Sequence, residues 1–191
     1  SDACFARVRD TGEFSSRNTT KGALLKEAFH LFNEMHVYGV SPAELREKAL
    51  HGQMFPRASY ENRQRIWDSI KHRYFAPGDT CAPPALAAAT ARGADSPDFI
   101  SMAYLYFALR DRLTFELVTQ LIWQRWCARS LTVSSADVLQ YLEDGSEQHP
   151  AAKKWMPSTR TRLARSILAA LRDFGVLRGV YTKQIQRPVV S

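Results

Sequence analysis

Apolar residues recur at three- and four-residue spacing along most of this chain, which is the pattern of amphipathic helices. The first such segment begins at Thr20 and ends near Gly39, and its apolar positions are Leu24, Leu25, Ala28, Phe29, Phe32 and Met35. Similar spacing predicts helices over residues 85–91 and 99–109. Residues 113–127 are apolar on nearly all sides, so we expect them to form the central core helix.

Polar residues that favour helix starts divide the chain further. Ser41, Pro42 and Glu44 combine an N-cap, a proline in the first turn and a capping-box glutamate, and they predict a short helix that ends near residue 52. Comparable start signals stand at Ser59, Ser96, Ser134 and Ser158. Gly175 follows the last helix, residues 158–174, in the position of a C-cap glycine.

The period changes after Gly175. The β-forming residues there are Val176, Val180, Tyr181, Ile185, Val189 and Val190, and Pro188 excludes a central strand. Either a small β-hairpin or an irregular extended tail fits this pattern. The predicted fold is therefore all-α: a compact multi-helix globular domain with two helix-turn-helix-like elements. Residues 1–18 are expected to form a flexible arm, 19–130 a helical core with the first such element, and 131–191 a basic winged-helix-like element.

The charge is concentrated at one end of the chain. The 191 residues are 45% hydrophobic and 24% charged, as in a soluble globular protein, and carry a formal net charge of +7. Residues 145–191 contain nine basic and two acidic residues, so residues 1–144 are neutral overall. We interpret this excess as the electrostatic footprint of a nucleic acid.

A helical wheel separates the two faces of residues 158–174. Leu163, Ile167 and Leu171 lie on an apolar stripe with Ala170 and Phe174. Arginine donates two parallel hydrogen bonds to phosphate and stays charged, and a helix N-terminus adds free N–H groups. The candidate DNA-binding residues here are Arg162, Arg165 and Arg172 on the opposite face, Arg160 in the first turn, Lys153 and Lys154 before it, and Arg178 and Lys183 after it.

The order of elements supports this hypothesis. A short helix, a connection, an arginine-bearing helix and a basic ribbon resemble a winged helix-turn-helix, in which the second helix meets the major groove. The connection, residues 145–157, is much longer than the usual three or four residues, so groove-specific recognition does not follow.

A second basic set lies on the helix pair at residues 42–51 and 59–74. Its candidate DNA-binding residues are Arg57, Arg63 and Arg65, and with Lys71 and Arg73 they exceed Glu61 and Asp68 by three charges. An ordinary solvated surface explains this smaller surplus equally well.

The sequence contains no residue pattern that is typical of a catalytic site. The five histidines lack metal-ligand spacing, no phosphate-binding glycine loop occurs, and three distant cysteines suggest neither a disulfide framework nor a zinc site. We therefore expect no enzyme, cofactor, metal or small-molecule substrate. No apolar run is long enough to span a bilayer, so we expect no membrane partner, and the cysteine pattern fits a protein of the reducing cytoplasm.

Four stretches resemble the BrxA family of bacteriophage-exclusion (BREX) defence systems. They are residues 20–32 (TKGALLKEAFHLF), 59–74 (SYENRQRIWDSIKHRY), 113–126 (LTFELVTQLIWQRW) and 146–177 (SEQHPAAKKWMPSTRTRLARSILAALRDFGVL). The resemblance implies an all-helical protein that binds DNA and works with other BREX proteins. The predicted function is a non-enzymatic double-stranded-DNA-binding component of phage defence. The alternatives are a protein–protein scaffold in the defence complex and an RNA-binding helical module.

Overall fold

The chain divides into two compact units. The computed structural model describes residues 9–19, 22–145 and 149–186. Leu24–Arg110 lies in the first unit, and Arg9–Ala23 joins the residues from Asp111 onward in the second. The described residues are mostly helical with one small antiparallel sheet, which confirms the predicted fold class. The boundary between the two units falls after Arg110. The sequence analysis instead divides the chain after residue 130, where the basic region begins, and that functional division stays a prediction.

Local capping explains the helix bounds of the first unit. The helices are α1 (Leu25–Tyr38), α2 (Pro42–Leu50), α3 (Tyr60–Tyr74), α4 (Ala82–Ala89) and α5 (Pro97–Leu109). Both halves of the predicted capping box between Ser41 and Glu44 are present. Ser59 and Ser96 accept the backbone N–H groups of Asn62 and Phe99, as N-caps do.

Aromatic residues fill the core of the first unit. The ring of Phe32 stacks on Phe75 at 5.4 Å and meets Tyr74 edge-on at 5.7 Å. Trp67 is buried and stacks on Phe75 at 5.8 Å. The burial of these rings holds α1 and α3 together through the hydrophobic effect.

The second unit begins with a helical segment of mixed character. A π-helical stretch, Leu117–Ile122, separates α6 (Arg112–Glu116) from α7 (Trp123–Cys127). Leu113, Leu117 and Ile122 are buried, but Trp123 is 58% exposed and no residue of α7 is buried. The expected central core helix over residues 113–127 is therefore only half right, because Trp123 faces solvent and Trp126 is only half-buried.

Helices and short strands alternate in the rest of the second unit. The helices are α8 (Ser135–Asp144), α9 (Pro150–Lys153) and α10 (Pro157–Asp173), and the strands are β1 (Thr132–Val133), β2 (Leu177–Arg178) and β3 (Lys183–Ile185). The sheet is antiparallel in the order β1-β3-β2, with Leu177 opposite Ile185 and Val133 opposite Lys183. The hairpin is thus the correct alternative for residues 177–185.

The described part of the N-terminal segment is packed. Phe14 is 5% exposed, and its ring stacks on His149 at 3.6 Å. The Arg112 guanidinium donates to the carbonyl oxygens of Thr11 and Gly12, and the 3-10 turn Arg17–Thr19 packs on α10. These contacts hold residues 9–18 against the second unit, whereas the sequence predicts a flexible arm over residues 1–18, and that division of the chain stays a prediction. Residues 1–8 lie outside the described part.

The cysteines differ from one another in state. Cys81 is disulfide-bonded, whereas Cys127 is free and exposed. The expectation that no cysteine forms a disulfide is therefore wrong for Cys81, because spacing along the chain does not report proximity in the fold.

Candidate nucleic-acid interface

Helix α10 is held in place by its apolar face. Leu163, Ile167 and Leu171 are fully buried, and α10 packs on α8. The helix begins at Pro157, one residue before the predicted start, because the fixed φ of proline suits the first helical position. At its end Gly175 has φ 78°, donates to Arg172 O and leaves Val176 to donate to Leu171 O. This pair of bonds is a Schellman cap and confirms the predicted C-cap glycine.

The opposite face of α10 carries one row of arginines. Arg162, Arg165 and Arg172 are exposed and lie at spacings that place them on one side of the helix, and we call them the arginine stripe. Within the described residues, Arg162 and Arg165 form no ion pair, so their guanidinium groups face solvent. Arg172 differs because its Nη2 lies 3.0 Å from Asp173 Oδ1.

Arg160 and the lysine pair lie beside the start of α10. Arg160 is half-buried, and its Nη2 donates to Lys153 O at 3.2 Å. This bond ties the first turn of α10 to the end of α9. Lys153 and Lys154 are exposed, and the bond holds the backbone of Lys153 beside the first turn of α10. Arg160 itself acts mainly as a tether.

The two basic residues of the hairpin have different surroundings. Arg178 is exposed, whereas Lys183 is only 6% exposed. The Lys183 ammonium donates to Val180 O at 2.6 Å and lies 3.5 Å from Gly179 O. Burial and the nearby Arg172 lower the pKa of Lys183. Lys183 therefore has a structural role, and we leave it out of the candidate interface, although its predicted phosphate contact stays a prediction.

The second predicted set is less basic at its surface than its sequence suggests. Arg57 and Arg65 are exposed, but the half-buried Arg63 covers Gly52, where any Cβ would collide with its guanidinium. Arg73 is buried with its guanidinium 4.8 Å from the Phe107 ring centre. The outer face of α3 then alternates Glu61, Arg65, Asp68 and Lys71, all exposed. Such a mixed face is typical of an ordinary solvated helix.

A buried polar cluster holds the long connection before α10. Glu116 Oε1 accepts from Arg112 Nε at 2.8 Å, and its Oε2 lies 3.2 Å from His149 Nε2 and 3.3 Å from Tyr141 Oη. Burial and the Glu116 carboxylate raise the pKa of Tyr141 to about 12. The cluster fixes residue 149, immediately before α9, so the part of the connection that the structure describes is anchored. Arg112 and Glu116 are an i,i+4 pair that helical spacing allows, but Tyr141 and His149 lie much further along the chain, and no local signal could have identified them.

Comparison with protein families agrees with the resemblance of the four stretches. The model of the BrxA family matches residues 12–191, which is nearly the whole chain. The chain belongs to the BrxA family. Membership in this family implies a role in BREX phage defence, and with it partners among the other BREX proteins. None of the curated proteins with which the sequence was compared matches it.

Across residues 9–19, 22–145 and 149–186, no three histidine, cysteine or acidic side chains come together as a metal site requires. In the same part of the chain, no helix is long and apolar enough to cross a membrane.

Proposed function

We propose that this chain is a non-enzymatic component of a BREX system that binds double-stranded DNA, mostly through the phosphate backbone. The observation that carries the proposal is the arginine stripe, in which Arg162 and Arg165 are exposed and have no acidic partner among the described residues. We place this work in the cytoplasm, where phage DNA meets the host chromosome.

The order of elements around the stripe supports the proposal. Strand β1, helix α8, helix α10 and the hairpin of β2 and β3 come in the order of a winged helix, with the one-turn helix α9 inserted between α8 and α10, and β3 lies between the other two strands. In helix-turn-helix proteins the second helix of the pair approaches the major groove. Helix α10 holds that place, and its stripe points away from the core, so it is available to a duplex.

The dimensions of the stripe also suit a duplex. From Arg162 to Arg172 the helix rises about 15 Å, comparable with the roughly 12 Å width of the major groove. Arginines spread over that length reach phosphates on the groove walls, with Lys153 and Lys154 beside the helix start. Phosphate contacts position a protein without reading bases, so we propose binding that is largely independent of sequence.

The test is duplex affinity as a function of salt. We assume that Arg162, Arg165, Lys153 and Lys154 each neutralise one phosphate. A plot of log affinity against log salt concentration should then have a slope of about −3.6. Arg162→Glu with Arg165→Glu should weaken binding at least tenfold or so and flatten the slope by about 1.8.

A matched control separates a local site from net charge. Arg46 and Arg92 are exposed in the first unit and already paired with Glu47 and Asp98. Arg46→Glu with Arg92→Glu changes the net charge by the same amount but leaves α10 intact. Equal losses in the two double variants, or none in either, would refute the proposal for α10.

A scaffold role has its own supporting observation. Trp123 is 58% exposed and Leu131 is 42% exposed on the second unit, and a scaffold role would use them as part of an apolar contact with a partner protein. Pull-down with nuclease treatment distinguishes the scaffold role from DNA binding, because a BREX partner that is retained after nuclease treatment favours the scaffold.

The remaining alternative is an RNA-binding module, and competition between duplex DNA and RNA tests it. Stronger displacement of the bound chain by RNA would favour that module.

A further inference from the structure

The turn between β2 and β3, residues 179–182, is built to hold one conformation, and we call it the wing. Gly179 has φ 107°, and a Cβ there would lie 2.8 Å from Thr182 O, so only glycine fits. The buried Lys183 ammonium donates to Val180 O at 2.6 Å. Charged hydrogen bonds of this kind are strong, so they hold the wing backbone in place.

This rigid backbone presents apolar side chains to solvent. Val180 is 68% exposed, and Tyr181 is 92% exposed. Burying the Lys183 ammonium beneath the turn costs desolvation free energy. This burial does not bring Val180 or Tyr181 into the core, since both side chains stay exposed. The core of the second unit therefore does not explain the order of the wing, and a ligand that covers the tip would.

The charges around the wing indicate what that ligand is. No acidic residue occurs in residues 177–186, whereas Arg178 is exposed at the base of the hairpin and Lys183 lies beneath the tip. Arg172, on the arginine stripe, is close enough to influence the Lys183 ammonium. Asp173 pairs with Arg172 and also influences Lys183, but Arg178 is exposed and has no acidic residue within residues 177–186. A polyanion with an apolar surface therefore fits the wing better than an apolar protein face does.

We propose that Val180 and Tyr181 pack into the minor groove of the duplex next to the major groove that α10 meets. The proposal rests on the function proposed above and deepens it by adding a second, apolar contact. Deoxyribose edges line the minor groove with apolar surface, and DNA-binding proteins commonly insert apolar side chains there. Lys183 is a positioning residue in this arrangement, because it holds the wing without touching the DNA.

The experiment measures duplex affinity of full-length Tyr181→Ala over a range of salt. An apolar contact releases no counterions, so we expect a loss of about tenfold with the salt slope unchanged. Tyr181→Phe keeps the ring and should bind like the original chain. Tyr38→Ala is the control, because Tyr38 is also an exposed tyrosine but lies at the end of α1 in the first unit. Since Tyr181 touches almost nothing, its loss should leave the fold intact.

A second arm tests the groove. Netropsin occupies the minor groove of an A·T-rich duplex, so preloading it should weaken the original chain about as much as Tyr181→Ala does and should add little to that variant. Unchanged affinity of Tyr181→Ala overturns the wing proposal, while the function proposed above stands if Arg162→Glu with Arg165→Glu still fails to bind. Loss of a nuclease-resistant protein partner with full DNA affinity also overturns it. A chain that binds no duplex at any salt overturns both.

Discussion

Three basic residues that look alike in the sequence differ sharply in the structure. Arg162 faces solvent, Arg73 lies buried against the ring of Phe107, and the Lys183 ammonium is enclosed by the wing. A count of charges treats them equally, but only an exposed cation without an acidic partner can neutralise a phosphate. The functional reading of this chain therefore depends on where each cation lies.

Lys183→Met tests this distinction at a single residue. Methionine keeps the apolar stem but removes the ammonium that bonds to Val180 O, so the wing should loosen. We expect a several-fold loss of duplex affinity with an unchanged salt slope, as in Tyr181→Ala. The measurement is again affinity across salt. A slope flatter by about 0.9 would mean that Lys183 contacts a phosphate directly.

Helices α3 and α10 show the same contrast at the scale of an element. Each has an apolar face and a basic surplus in its sequence. On α10 the exposed row is arginine, with one acid at its end, whereas on α3 Glu61 and Asp68 alternate with Arg65 and Lys71. Mixed charges cancel within a few ångströms of the surface, so α3 offers a polyanion little net attraction.

The second basic set should therefore matter less to DNA binding than the first. Arg57→Glu with Arg65→Glu makes the same change in net charge as Arg162→Glu with Arg165→Glu. We expect the former pair to reduce duplex affinity by less than about threefold and the latter by tenfold or more. Gel-shift titrations at one low salt concentration compare the two pairs directly. The reverse order would place the interface on the first unit.

Helix caps were predictable from sequence because they depend on neighbouring residues. The capping box at Ser41, the N-cap at Ser134 and the closing glycine at Gly175 all form as expected, but Ser158 does not cap α10, whose N-cap residue is Met156 and makes no side-chain cap bond. The arginine stripe was predictable for the same reason, since helical spacing alone defines a face. The enclosure of Lys183 and the exposure of Trp123 were not, because each depends on packing between elements distant in the chain.

At the scale of the whole molecule, the second unit is closed by residues from its far N-terminal side. Arg112 donates to two carbonyl oxygens of that segment, and Phe14 stacks on His149. His149 in turn lies 3.2 Å from Glu116, next to the short helix that carries Lys153. The N-terminal segment thus supports the region before α10 across more than one hundred residues of chain.

Phe14→Ala measures the strength of this closure. The ring is 5% exposed, and truncating a buried phenylalanine leaves a cavity, so the free energy of unfolding should fall by about 3 kcal/mol. Urea unfolding followed by circular dichroism gives that value, and Glu13→Ala, at an exposed neighbouring position, should change it by less than about 0.5 kcal/mol. Duplex affinity of Phe14→Ala should fall only by the fraction of unfolded chain, because Phe14 does not belong to the stripe or the wing. If Phe14→Ala is as stable as Glu13→Ala, residues 9–18 are a loose arm, as their sequence suggests, and α10 is held by the later part of the second unit, from Asp111 onward, alone.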